Sequence, residues 1–311
     1  MIRADLLQRA GELRARRMPF VAATVVRVQR PASARPGDAA LLLPDGTVEG
    51  FVGGACTEAT VRVQGLRQLA AGQSALLRIT PAAAEAAGGP DAGAAPEGIV
   101  TAPNPCLSGG TVDIFLEVVR PAMLVHVFGD TPVARALAAV GREAGWEVRL
   151  AADPAAAVPA DAGAVVVASH GGDEVPVLAA ALRAGAGYVG LVASRRRGAS
   201  VAAALELDDE QAARFHTPAG LDIGARTPGE IAVSIAAEII SVAAAAPPGP
   251  AAAAASGPGA AAERTDPVCG MTVAVAEATP RLRHGATTVY FCCPACRDSF
   301  AADPERYTAK L

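Results

Sequence analysis

Apolar and polar positions alternate in short runs along the first third of the chain. A stretch of helical periodicity opens it, and four strand-like runs follow: FVAATVVRV from Phe20, AALLLP from Ala39, SALLRI from Ser74 and TVDIFLEVV from Thr111. Turn residues separate them. Arg35-Pro36-Gly37-Asp38 and Asp45-Gly46 each supply a glycine that tolerates positive φ, and Asp-Gly between apolar runs signals a hairpin. Residues 1–120 are therefore expected to form an α+β domain, in which residues 81–98 carry no large apolar side chain and read as a loop.

From Met123 the pattern changes to apolar β-rich runs (MLVHVFG, WEVRLA, AVVVAS, GYVGLV) separated by helical stretches that end at glycine. That alternation predicts a Rossmann-like parallel sheet over residues 121–242. Its last helix is well marked: in Thr227-Pro228-Gly229-Glu230, Thr can cap, Pro can take the first helical position and Glu can reach back, while Ile231, Ile235 and Ile239 form an apolar stripe. Residues 243–265 are Ala, Pro and Gly with little else and read as a linker. Residues 266–311 form a small cysteine-rich module, too short for an ordinary core and suited to stabilisation by a metal. The expected class is α/β overall: an α+β domain, a Rossmann-like domain and the terminal module.

Composition narrows the functions. At 311 residues the chain exceeds what one core usually supports, so two or three domains are expected. A net charge of −4 offers no general attraction to nucleic acid. The opening segment has no apolar run of signal length, and no later segment reaches the roughly 18 apolar residues of a membrane span. A cytoplasmic protein is expected, with its six cysteines reduced and available for metal or thiol chemistry.

Within the module, Cys269 precedes Cys292 by 23 residues, and Cys292 and Cys296 stand in a C-x3-C step that puts both sulfurs on one side of a turn or helix start. Thiolates favour Zn(II), Cu(I) or another thiophilic ion. The ordinary alternative is that they are small buried residues. A fourth ligand could be Cys293, His284, a partner group or an exogenous thiol. The segments DPVCGM, VYFCCPAC and FAADPERY closely resemble the YHS domain family, and the resemblance assigns Cys269, Cys292 and Cys296 to metal binding, with Cys293 at a position usually not cysteine.

In the first domain, GFVGGACTE (50–58) and PCLSGGTVDIFLE (105–117) each pair a cysteine with a double glycine. Gly pairs admit close approach of backbone N–H groups to an anion, and a thiol can ligate molybdenum or carry sulfur. With RPASARPGD, VFGDTPVARAL, YVGLVASRRR and HTPAGLDIGARTPGEIAVSIAAEI, these segments give residues 1–242 a resemblance to the xanthine dehydrogenase accessory protein family, XdhC/CoxI. The resemblance implies a protein that binds the molybdenum cofactor (molybdopterin), supports its sulfuration and delivers it to a xanthine or carbon monoxide dehydrogenase apoenzyme. That role is a maturation factor rather than a turnover enzyme. A cysteine desulfurase is a further candidate partner, and the short apolar strands and Ile-rich last helix leave room for a homodimer.

By match to the family's segments, Cys56, Glu58 and Cys106 are candidates for the metal end of the cofactor. Gly109, Gly110, Ser194, Arg195, Arg196, Gly220, Asp222 and Gly224 are candidates for pterin and phosphate contacts. The ordinary alternatives are a buried thiol at Cys56 and Cys106 and a solvated charge run at Arg195 and Arg196. Two departures stand out: Ala55 replaces a glycine usual in the family, and Gly129-Asp130-Thr131-Pro132-Val133-Ala134 lacks the second glycine of a dinucleotide loop and adds a negative charge. The latter weighs against an NAD(P)-dependent oxidoreductase. A metal sensor or metallochaperone centred on the terminal thiols is the other competing function.

Overall fold

A computed structural model describes residues 4–81, 98–104, 110–153, 156–169, 171, 174–245 and 262–307. The chain divides into two compact units, Met1–Pro121 with Ser256–Leu311, and Ala122–Ala255. It is a mixed α/β structure with a parallel-sheet Rossmann-like domain, as the periodicity predicts. The proposed linker at 243–265 falls mostly outside the described residues, as does nearly all of the 81–98 loop.

The first unit is built on a six-stranded sheet of order β3-β2-β1-β6-β4-β5. Its strands are β1 (Phe20–Gln29), β2 (Ala39–Leu42), β3 (Val48–Gly50), β4 (Ala75–Pro81), β5 (Ile99–Asn104) and β6 (Thr111–Val119), antiparallel except for the β4–β5 pair. The two-residue period of a strand sends neighbouring side chains to two cores. Val21, Ala23 and Val25 of β1 and Ala40 and Leu42 of β2 pack with Val61, Val63, Leu66 and Leu69 of helix α2 (Ala55–Ala71). Phe20 and Leu41 face the other way and pack with Leu6, Ala10 and Leu13 of helix α1 (Ala4–Ala15). The Asp45-Gly46 hairpin joins β2 to β3, with Gly46 at φ 86°.

The terminal residues of this unit form two hairpins, β12 (Glu263–Thr265) with β13 (Thr272–Ala274) and β14 (Arg281–His284) with β15 (Thr287–Tyr290). Val289, Phe291 and Phe300 supply a small core. This module packs on α2: Ala274 is buried in the same core as the α2 residues.

The second unit is a parallel sheet of order β11-β10-β9-β7-β8, comprising β7 (Leu124–Phe128), β8 (Glu147–Ala151), β9 (Ala164–Val167), β10 (Tyr188–Leu191) and β11 (Phe215–His216). Val125, Val127, Ala164 and Val166 meet Ala134 and Leu137 of α3 (Pro132–Glu143) and Ile235 and Ile239 of α7 (Pro228–Ala245). Val165 and Val167 face the opposite layer, with Val177, Leu178, Ala181 and Leu182 of α4 (Glu174–Arg183) and Val201 and Leu205 of α5 (Arg195–Leu205). Helix α6 (Asp209–Arg214) leads into β11. The predicted capping box at the start of α7 forms, with the Glu230 N–H donating to Thr227 Oγ1 at 3.3 Å and the Thr227 N–H to Glu230 Oε2 at 2.9 Å. Among the described residues no helix is long and apolar enough to cross a membrane.

Candidate functional site

The module's turn after β12 and the start of helix α8 (Pro294–Ala302) bring three thiols together. Cys269 Sγ lies 3.6 Å from Cys292 Sγ, which lies 3.5 Å from Cys296 Sγ. Asp266 joins them, and one ligand atom from each of the four residues falls within 4.8 Å of the others. Cys292 is buried and Cys269 exposed, so the group opens to one side. Pro294 begins α8 with Cys293 as its N-cap, which places Cys292 and Cys296 on the near side of the first turn, as the C-x3-C spacing predicts.

Asp266 is a feature that sequence reasoning passed over. Its carboxylate is fully buried and accepts the Val268 N–H on Oδ1 and the Cys292 N–H on Oδ2, both at 2.8 Å. It therefore ties the Cys269 turn to the Cys292 strand end. Residue spacing carries no signal for it. Burial, reinforced by hydrogen bonding to Asp266, pushes the Cys292 thiol well above the usual thiol range, and burial does the same to Cys296. A metal ion must consequently displace protons from these sulfurs on binding. Three soft donors with one oxygen donor suit a thiophilic ion, and the donor set fits the metal that the module's sequence calls for. His284 and Cys293, fourth-ligand candidates from the sequence, lie outside this group: His284 meets the Phe300 ring edge-on at 5.6 Å, and Cys293 packs against the apolar cluster of Ala59, Met271, Val273 and Cys292.

In the body of the first unit, the glycine-bearing segments meet near the N-terminus of α2. A side chain at Gly54, the N-cap of α2, would come within 3.8 Å of Ser33 Oγ, and one at Gly110 within 2.0 Å of the Pro31 carbonyl oxygen. Thus RPASARPGD, GGACTE and the end of SGGT converge there. Cys56 sits in the first turn of α2 and packs in an apolar cluster with Ala59, Met271, Val273 and Cys292. Glu58 instead forms an ion pair with Arg62 at 2.7 Å, and the Arg62 Nε donates to the Gly46 carbonyl. Cys106 and Gly109 lie outside the described residues. A cavity of about 360 Å³ opens beside the module, lined by Thr60, Gln64 and Arg67 of α2, Thr101 of β5, and Gly270 and Met271 next to Cys269.

The remaining candidates lie in the second unit. Ser194 caps α5, accepting the Arg197 N–H at 3.4 Å, and Arg195 pairs with Asp222 at 3.2 Å with both side chains about 85% exposed. Arg196 is exposed, whereas Arg197, which sequence reasoning did not single out, pairs with the buried Glu174 at 2.9 Å. Gly220 and Gly224 both have positive φ, and the Gly220 N–H donates to Glu238 Oε2 at 2.7 Å. Tyr188 donates to the same oxygen at 2.6 Å. Gly129 at φ 111° passes so close to the Ala168 carbonyl that a Cβ would lie 2.2 Å away, and Asp130 is held by Arg135. That glycine therefore serves strand packing.

Comparison with known proteins divides the chain in the same order as these sites. Residues 13–80 match the XdhC and CoxI family, 125–239 the XdhC Rossmann domain and 264–310 the YHS domain. The module is 52% identical over 46 residues to a copper-transporting P-type ATPase of Rhizobium leguminosarum bv. viciae, an overlap of 14% of this chain and 6% of that protein. Protein YqeB of Escherichia coli (strain K12) is 27% identical over 277 residues, covering 79% of this chain and 47% of the relative. The chain thus spans less than half the length of these two curated relatives. A crystal structure of a xanthine dehydrogenase from Bacillus halodurans matches 79% of this chain and 97% of its own at 16% identity, with a TM-score of 0.37.

Proposed function

We propose that this chain, which belongs to the XdhC and CoxI family and ends in a YHS domain, is a maturation factor for a molybdenum hydroxylase of the xanthine or carbon monoxide dehydrogenase type. It binds the molybdenum cofactor transiently, supports its sulfuration with a cysteine desulfurase as the sulfur source, and passes it to the apoenzyme. The observation that carries this reading is the approach of Gly54, the N-cap of α2, to Ser33 and of Gly110 to Pro31, which brings three of the family's segments together at the helix start that also bears Cys56. Cys56 and Cys106 are assigned to the metal end of the cofactor. Glu58 is assigned there too, and its ion pair with Arg62 would have to yield for it to take that role. Gly109 and Gly110 of the first unit and, in the second unit taken by itself, Ser194, Arg195, Arg196, Gly220, Asp222 and Gly224 are proposed for pterin and phosphate contacts. The exposed Arg195–Asp222 pair costs little to open for an anion, since such surface pairs contribute about 0–1 kcal/mol.

Purified full-length protein from cells that make the cofactor should carry molybdopterin, read as its fluorescent oxidation product, and should stimulate a hydroxylase apoenzyme. Absence of both with fresh cofactor would overturn the proposal. The terminal module is assigned a thiophilic ion, Zn(II) or Cu(I), on Cys269, Cys292 and Cys296. A second reading, a metallochaperone or metal sensor, is favoured by that cluster and by the module's likeness to a protein described as copper-transporting. Full-length Cys269→Ser/Cys296→Ser separates the two: it abolishes the metal role and leaves cofactor delivery intact if the first reading holds.

A further inference from the structure

The module is held to the first domain by a specific seam. Arg67 of α2 forks onto Glu263, Nε and Nη2 each donating to a carboxylate oxygen at 2.6 Å. The Ala278 N–H donates to the Asp45 carbonyl at 3.0 Å. Between these two contacts Ala59, Met271, Val273 and Cys292 close one apolar cluster, and Cys56, Cys293 and Cys296 pack against it. Cys56 and Ala59 are three apart on α2 and share a face, the face the module covers. Four of the five described cysteines thereby come into one cluster although Cys56 and Cys292 lie toward opposite ends of the chain.

We infer that the module is an intrachain cover for Cys56, and that a soft metal ion held by Cys269, Cys292 and Cys296 closes it. This rests on the reading of the module as metal-binding. Without the ion, the module has only a small core around Val289, Phe291 and Phe300, and its thiols meet through sulfur contacts of 3.5–3.6 Å. Local opening away from α2 is then inexpensive. An ion on the three sulfurs fixes the Cys269 turn, Cys292 and the first turn of α8 as one piece, and the side of that piece bearing Cys292 is the side packed on α2. Opening it then requires leaving the seam as a rigid whole. The coupling is reciprocal: any ligand that needs Cys56 exposed must weaken the ion's hold, and the ion must weaken that ligand.

The test is the rate of alkylation of Cys56 by iodoacetamide in the full chain, followed by peptide mass spectrometry. Reduced, chelator-stripped protein is compared with protein loaded with Zn(II), the bound metal being measured separately. Loading should slow Cys56 alkylation on the order of tenfold or more, as closure of a local opening does. Glu263→Arg, which sets like charge against Arg67, and the milder Arg67→Gln should restore fast alkylation while about one Zn(II) stays bound. If Zn(II) binds and Cys56 reacts at one rate in every state, the cover is overturned and the metal assignment survives. If no Zn(II) binds, both fall.

Discussion

Asp266→Asn discriminates between a scaffold and a ligand at the metal centre. In the structure the carboxylate is fully buried and spends one oxygen on the Val268 N–H and the other on the Cys292 N–H, each at 2.8 Å. Hydrogen bonds to a charged group are worth about 1.5–3 kcal/mol each. An amide keeps one acceptor, turns an NH2 toward the other N–H, and leaves that buried donor unpaired at about 1–3 kcal/mol. The combined loss, about 2.5–6 kcal/mol, is comparable to the roughly 3–5 kcal/mol that a core of this size rarely exceeds. The metal-free variant should therefore lose its fold in this region. Zn(II), whose binding supplies about 10–16 kcal/mol in small zinc domains, should restore it. Hydrogen exchange of peptides covering residues 289–300, with and without Zn(II), reads this directly. Metal-free wild type should show measurable protection that metal increases, and the variant should be protected only with metal. Unchanged metal-free protection together with a metal affinity lowered by well over the roughly 10–100-fold that losing a supporting group costs would refute the reasoning and make Asp266 a ligand.

Because burial raises the Cys292 and Cys296 thiols, Zn(II) must displace their protons, and its apparent affinity should climb by about tenfold per pH unit per displaced proton from roughly pH 6 to 8 in a chelator competition. A flat profile would contradict it. Gly110→Ala drives a Cβ to 2.0 Å from the Pro31 carbonyl, which is backbone and cannot swing aside, so thermal unfolding should report a loss of about 1–3 kcal/mol. In the second unit, burial, with Arg149 nearby, lowers His126 below its ordinary 6.5, and among the described residues neither ring nitrogen has a hydrogen-bond partner. The unfolded chain takes up this proton first as pH falls, so stability is constant above about 6.5 and declines below it toward the lower folded value. His126→Leu should flatten that decline in a melt followed by Trp146 fluorescence, with His216, similarly lowered by burial, accounting for what remains.

Much of the fold was legible because strand alternation and layer burial are the same fact. In β1, Phe20 and Val21 go to different cores, and in β9 Val165 and Val166 do so again. Helix α2 was less legible: its first turn carries the Gly-Gly-Ala-Cys segment, which reads as an anion-binding loop, while Val61, Val63, Leu66 and Leu69 supply a core face. Strand β5 pairs parallel with β4 and depends on that long-range pairing more than on its own short sequence. The module's three thiols were visible from spacing, but its docking was not. The composition of residues 243–265 suggests an independent module, whereas Glu263, Ala274 and Met271 make their contacts with α2, about two hundred residues away in sequence. Asp266 escaped notice because its role is backbone organisation, which leaves no pattern in residue spacing.

The most direct test of the central claim is molybdopterin and metal analysis of full-length protein purified from cells with a native cofactor pool, alongside Cys56→Ala, Cys106→Ala and Cys269→Ser/Cys296→Ser. A maturation factor retains molybdopterin in the wild type and in the module variant, and loses it when Cys56 or Cys106 is replaced. Recovery of only a thiophilic ion, absent from the module variant, would contradict the account and leave the metallochaperone in its place.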